Sequence, residues 1–126
     1  MALTHRSKTS NRTLGALGEK AVAEFLVNRG FLIVDRNWRI REGEIDIVAT
    51  MPDETYSFIE VKTRTSLAFG RPLEAITPEK AHRMQRLALA WLATHQCLGS
   101  NYQVDCAAVL VSVDGSFSIE YREKIL

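Results

Sequence analysis

With 126 residues the chain has the length of one domain, enough to bury a core without disulfide or metal staples. Its 46% hydrophobic and 25% charged content is that of an ordinary globular protein, and a net charge of +1 argues neither for nor against a nucleic-acid partner. No apolar run approaches the ~20 residues of a membrane span. The opening MALTHRSKTSNRT lacks the apolar region of a signal peptide, so the expected location is the cytoplasm, with no membrane partner. Cys97 and Cys106 show neither C-x-x-C nor metal-ligand spacing and read as buried or incidental thiols.

Residues 1–12 carry Arg6, Lys8 and Arg12 with no acid and read as a flexible basic tail, leaving 13–126 as a single domain. Leu14, Leu17, Ala21 and Phe25 recur at helical spacing, which predicts a helix over Thr13 to Asn28 closed by Gly30. FLIVDRNW, Phe31 to Trp38, predicts the first strand. Two further apolar runs, GEIDIVA and FIEVKTR, are separated by the turn composition Met51-Pro52-Asp53-Glu54. Ser66 to Ile76 holds Gly70 and Pro72 and reads as a loop. Thr77-Pro78 pairs a hydroxyl N-cap with proline at N1, predicting a helix through Met84, Leu87, Ala88, Trp91 and Leu92 that ends before Gly99. Val104 to Val113 predicts a long apolar strand, and Asp114-Gly115 a two-residue hairpin into Ser116 to Tyr121. No internal repeat or low-complexity segment appears. The order α-β-β-β-α-β-β, with a parallel crossover between Ser57 and Val113, predicts a mixed sheet with helices packed on it: an α/β fold.

The central hairpin carries charge where burial is expected. Strict alternation puts Glu44, Asp46 and Val48 on one face, against Ile45, Ile47 and Ala49 on the other. In the next run Phe58, Glu60 and Lys62 oppose Ile59, Val61 and Thr63. A register centred on Asp53 sets Asp46 directly across from Glu60, with Cβ atoms about 4.5–5.5 Å apart. Carboxylates that close repel, so one takes up a proton or both share a cation. The E-V-K triplet alone would fit the wet face of a hairpin, with Lys62 in a surface ion pair. The opposed Asp46 shifts the weight to a divalent cation such as Mg²⁺, which takes oxygen ligands and is held by one or two carboxylates plus phosphate.

The other signals are weaker. Gly15-Ala16-Leu17-Gly18 has neither the spacing nor the preceding strand of a phosphate-binding loop, and close approach of the helix to a sheet or to a nucleic-acid backbone is the better explanation. His5, His82 and His95 form no ligand pair. Trp38 and Trp91 read as core or core-edge residues. No Ser/His/Asp or Cys/His arrangement stands out. Arg36, Arg39, Arg41, Arg64, Arg71, Lys80, Arg83 and Arg86 cluster in sequence around the acidic pair, as phosphate contacts or as a solvated face.

Asp46, the turn, and Glu60-Val61-Lys62 resemble the D…(D/E)-x-K signature of the PD-(D/E)XK nuclease superfamily. Its restriction endonuclease-like three-layer core runs α-β-β-β-α-β. More closely, LGEKAVAEFLVNRGFLIVDRNWR, GEIDIVA, FIEVKTR, FGRPLEAIT and Lys80 resemble the bacterial YraN family, which is similar to Holliday junction resolvases. The resemblance spans Leu14 to Val109. It implies Asp46, Glu60 and the Val61 carbonyl as ligands of Mg²⁺ or Mn²⁺, Lys62 as the catalytic lysine, and Glu19 as the acid borne by the first helix. It also implies auxiliary roles for Lys80 and Gln85; together with Arg39, Arg41, Arg64 and Arg83 of the basic cluster, these are the expected nucleic-acid contacts. Two positions depart from the pattern: Ile45 stands where the superfamily name has proline, and Gln103-Val104-Asp105 where the family shows Arg-Phe-Asp. The implied function is metal-dependent endonucleolytic hydrolysis of DNA, including branched or recombination intermediates, with a homodimer as the implied assembly. The alternatives are a nucleic-acid-binding module without turnover and an adaptor domain whose hairpin charges are mere surface.

Overall fold

The computed structural model describes residues 2–65 and 76–126, with side chains from Thr13 onward. Two helices, α1 (Ala2–Asn28) and α2 (Pro78–Thr94), accompany five strands: β1 (Leu32–Ile40), β2 (Gly43–Thr50), β3 (Tyr56–Arg64), β4 (Tyr102–Val111) and β5 (Phe117–Arg122). The predicted order α-β-β-β-α-β-β is the one found. The loop expected over Ser66–Ile76 lies, apart from Ile76, outside the described residues.

Helix α1 begins at Ala2, within the stretch expected as a flexible tail. Residues 2–12 contain neither glycine nor proline to stop a helix, and the apolar stripe marked only the part that packs on the sheet. Its far end closes as predicted. Gly30 adopts φ 89°, the Phe31 N–H donates to the Leu26 carbonyl, and the Gly30 N–H donates to that of Val27. This is a Schellman cap, and Leu26 and Phe31 pack in one cluster beside it. Helix α2 starts at the predicted cap, with Thr77 Oγ1 accepting from the Lys80 N–H.

The sheet order is β1-β2-β3-β4-β5. Only β3–β4 is parallel; the other pairs are antiparallel. Helix α1 covers one face, packing Val22, Ala23 and Leu26 on Ile47, Ala49, Ile59, Ala107 and Val109. Helix α2 covers the other, packing Met84, Leu87, Ala88, Trp91 and Leu92 on Ile45, Val48, Phe58 and Val104. The result is a three-layer α/β architecture. Each large apolar side chain withdrawn from water contributes about 1.5–3 kcal/mol, so these two clusters hold the layers together.

The predicted assignment of faces along β2 is corrected by these clusters. Ile45 packs with Val48 under α2, while Ile47 packs with Ala49 under α1. Two residues apart should share a face, so the alternation reverses at Asp46. Strand β1 reverses at the matching place: Arg36 reaches Glu19 on α1, yet Trp38 packs with the α2 cluster. Between them Asn37 has φ 53°. The ladder steps from Arg36↔Ile47 to Trp38↔Ile45 and omits Asn37 and Asp46, which face each other. Both strands thus turn over together, so the register is the same on either side of this step; it shifts elsewhere, between Ile33 and Asp35.

The predicted β2–β3 register, centred on Asp53, is found in Ile47↔Ile59, Val48↔Phe58, Ala49↔Ser57 and Thr50↔Tyr56. Asp53 Oδ1 accepts from the Thr55 N–H in the turn, where Glu54 takes φ 70°. The β4–β5 connection is longer than the two-residue hairpin predicted from Asp114-Gly115, because the ladder closes at Val111↔Phe117. Asp114 Oδ1 there accepts from both the N–H and the hydroxyl of Ser116, which stabilises a wider loop with Gly115 at φ 85°.

Candidate functional site

The β2–β3 ladder stops at Ile47↔Ile59, one step short of bringing Asp46 and Glu60 into a ladder pair. In place of that pair, Asp46 Oδ2 accepts the Val61 N–H at 2.7 Å. A strand residue's N–H and C=O point to the same edge, so the Val61 carbonyl faces the side on which Asp46 sits. Around this opening the chain gathers acids from three elements. Glu19 of α1 and Glu60 of β3, with Glu44 of β2, all act electrostatically on Asp46. Burial first, then these neighbours, push the Asp46 carboxyl from 3.8 to about 7, against the stabilising Val61 hydrogen bond. Glu19 is raised too, chiefly by burial, with Arg36 and the Asn37 side-chain amide working against the rise. Arg36 Nη2 lies 4.0 Å from Glu19 Oε1.

Lys62 Nζ stands 4.0 Å from Glu60 Oε2 on a half-buried patch of β3. Beside them in the parallel register, Cys106 is fully buried, and its thiol is pushed up to about 12 by burial and then by Glu60. It is a core thiol without nucleophilic character. Gly18 sets the distance of α1 from this corner. A Cβ there would stand 1.9 Å from Thr63 Oγ1, so only glycine lets the helix bring the adjacent Glu19 this close to β3. Gly15 has nothing within 4 Å and plays no such part.

The structure therefore brings Glu19, Asp46, Glu60, Val61 and Lys62 to one corner. Among the described residues no group of three or more His, Cys, Asp and Glu side chains is placed to hold a metal ion. The donors present are hard oxygens, two carboxylates and a carbonyl edge. They suit Mg²⁺ or Mn²⁺, which keep several waters and take one or two carboxylates together with phosphate. An acid cluster with one backbone donor to share is also the environment that a divalent cation relieves.

The expected nucleic-acid contacts are more scattered. Arg39 Nη2 is engaged by Glu44 Oε2 at 2.9 Å, Arg41 is exposed in the β1–β2 turn, and Arg64 is exposed at the end of β3. Lys80 sits half-buried in the first turn of α2, and Gln85 Nε2 donates to the Tyr102 hydroxyl. Arg83 and Arg86 flank a groove floored by Ile40, Leu87 and Ala90, which Glu42 also lines. Gln103, at the position that departs from the family pattern, is a buried structural residue whose Nε2 lies within hydrogen-bond distance of Asp105 and Glu123. Sequence reasoning missed two residues of the acidic corner, Asn37 and Glu44. An asparagine, a residue that tolerates left-handed backbone, inside the strand run FLIVDRNW was the available signal for the first.

No helix among the described residues is long and apolar enough to cross a membrane. The sequence model of "Uncharacterised protein family UPF0102" matches residues 18–109, a span containing every residue of the acidic corner. A UPF0102 protein from Beutenbergia cavernae is 44% identical over 108 residues, covering 86% of this chain and 91% of its own. Another from Leifsonia xyli is 48% identical over 97 residues, covering 77% and 81%. A third, from Clavibacter michiganensis, is 43% identical over 112 residues, covering 89% and 94%. Matches of that identity across most of both chains leave one conclusion: the chain belongs to UPF0102, the YraN family.

Proposed function

We propose that the protein is a metal-dependent DNA endonuclease that hydrolyses phosphodiester bonds, with branched or recombination intermediates among its substrates. One observation carries the reading. Carboxylates from α1, β2 and β3 converge where the β2–β3 ladder ends, and an ammonium stands at the same corner. A purely structural hairpin would avoid like charges there. Asp46, Glu60 and the Val61 carbonyl are the groups that would hold Mg²⁺ or Mn²⁺. Such a cation would supply Lewis-acid polarisation of the phosphate and a more acidic water.

The chain's own side chains account for the rest. The Val61 N–H fixes Asp46 in orientation. Lys62, tethered electrostatically to Glu60, offers a positive charge to the phosphate oxygens as negative charge develops on them. Glu19 adds a carboxylate from the helical layer, with Arg36 Nη2 4.0 Å from it. Arg41, Arg64, Arg83 and Arg86 are exposed and available to backbone phosphates.

The test is cleavage of labelled linear duplex, single strand, flap and four-way junction with Mg²⁺ or Mn²⁺. Cutting that disappears without metal and in Glu60→Ala and Lys62→Ala proteins is the expected result. Salt-sensitive DNA binding without cutting would favour a binding module. The absence of both binding and cutting would remove the nucleic-acid reading altogether.

A further inference from the structure

The groove between α2 and the β1–β2 turn presents three kinds of surface. Arg83 and Arg86, both exposed and one helical turn apart on α2, flank it. Ile40, Leu87 and Ala90 make an apolar floor, and Glu42 of the turn brings a carboxylate. The floor is firm: Leu87 is buried, and a Cβ on Gly43 would stand 3.1 Å from its Cδ1. The volume, about 400 Å³, lies in the range of small-ligand sites. Arg39 nearby is already engaged by Glu44 at 2.9 Å, whereas among the described residues Arg83, Arg86 and Glu42 hold no ion pair. Cations, an apolar floor and a carboxylate call for an anion, a flat apolar face and an N–H donor in one ligand. A nucleotide has these as phosphate, base face and amino group, and guanidinium planes also stack on splayed bases. An acidic peptide would suit the arginines but set like charge against Glu42. The place fits too: Gly43 is three residues along β2 from Asp46, about 10 Å of extended strand, so groove and acid corner share one end of the sheet.

We propose that this groove binds one unpaired nucleotide of a single-stranded or branched nucleic acid, with Arg83 and Arg86 on its phosphate and Glu42 accepting from the amino group of its base. This deepens the nucleic-acid reading above and rests on it. A paired base is stacked on both faces and its partner occupies its amino group, so the groove selects a base that has left the duplex. Cytosine offers Glu42 its N4 amino group. Thymine presents O4 at the same position, and a carboxylate repels it.

Fluorescence anisotropy of the full chain with short labelled oligo(dC) and oligo(dT), in chelator so that nothing is cut, tests the site. Wild type should bind oligo(dC) roughly fivefold more tightly than oligo(dT). Glu42→Ala should erase that preference. Arg83→Ala combined with Arg86→Ala should weaken both oligonucleotides about tenfold and flatten the salt dependence. Ala90→Phe, which fills the half-exposed floor, should weaken both at an unchanged melting temperature. No preference in wild type, a preference that survives Glu42→Ala, or affinities untouched by Ala90→Phe would each overturn the site. Binding of an acidic peptide that needs the two arginines, without oligonucleotide binding, would overturn it in favour of a protein partner. The nuclease reading is scored separately, by cleavage of flap and junction with Mg²⁺ or Mn²⁺. Cutting without base preference would sink the groove alone, and Glu42-dependent preference without cutting would uphold the groove and sink the nuclease.

Discussion

Asp46 and Asp105 are both aspartates of interior strands, and burial raises the pKa of each, yet they are kept in opposite surroundings. Asp105 on β4 is fully buried and well supplied with donors. Gln103 Nε2, the Tyr121 hydroxyl and the Lys124 N–H all point at it, tying β4 to β5 and to the C-terminal segment. Asp46 has the Val61 N–H and three acidic neighbours. One carboxylate is satisfied by the fold. The other is left short of donors, and the fold gains nothing from keeping it so. Local conflicts of that sort belong where function, rather than stability, has set the residue.

The comparison can be broken from either end. Asp46→Asn keeps an oxygen for the Val61 N–H but removes the charge, and the proposed metal-dependent cleavage should fall at least ~10³-fold in single-turnover assays while stability is held or raised. Asp105→Ala should do the reverse. It leaves the Gln103, Tyr121 and Lys124 donors without this acceptor and opens a void at a fully buried position, and should cost about 3 kcal/mol in urea unfolding. A mutant that unfolds no more easily than wild type would show that the network is not the tie described.

The third test is the dependence of stability on pH. Because the Asp46 pKa is raised from 3.8 to about 7, the folded state holds this proton more tightly than the unfolded one. The group's contribution is therefore fully present below about pH 4 and is lost as pH rises through about 7. Urea unfolding of the metal-free protein should show stability falling by about 2 kcal/mol from this source between pH 5 and 8. Asp105 is raised in the same direction, so the Asp46→Asn protein isolates the contribution: its fall over that range should be smaller by that amount. A fall of equal size in both proteins would show that the acid corner carries no such strain.

Much of this was legible in the sequence. Turn residues around Asp53 and the matching of apolar runs gave the β2–β3 register, and Thr77-Pro78 gave the start of α2. Gly18 was readable as a close-approach glycine, although sequence alone did not separate it from Gly15, which lacks any such contact. The faces of β2 were not readable. Counting by twos assumes that every residue is extended, and the left-handed Asn37 together with Asp46 turns both strands over at once. The same blindness hid Asn37 from the list of site residues, whereas alternation had already put Glu44 on the face of Asp46. The extent of α1 was hidden for another reason: hydrophobic periodicity reports the packed face, and helical backbone continues wherever nothing breaks it.

Sheet order follows chain order, and this has a kinetic consequence. Short turns join every pair of neighbouring strands except β3 and β4, so most of the loop-closure entropy falls on that one parallel junction. Glu19, Asp46, Glu60 and Lys62 all precede it, on the segment that local pairing assembles first. The Asp105 tie forms only when β4 and β5 arrive. During refolding, pulse-labelled hydrogen exchange should therefore find the β1–β2 amides protected before those of β4. The acid corner would then begin as an early, open hairpin and acquire its wall last.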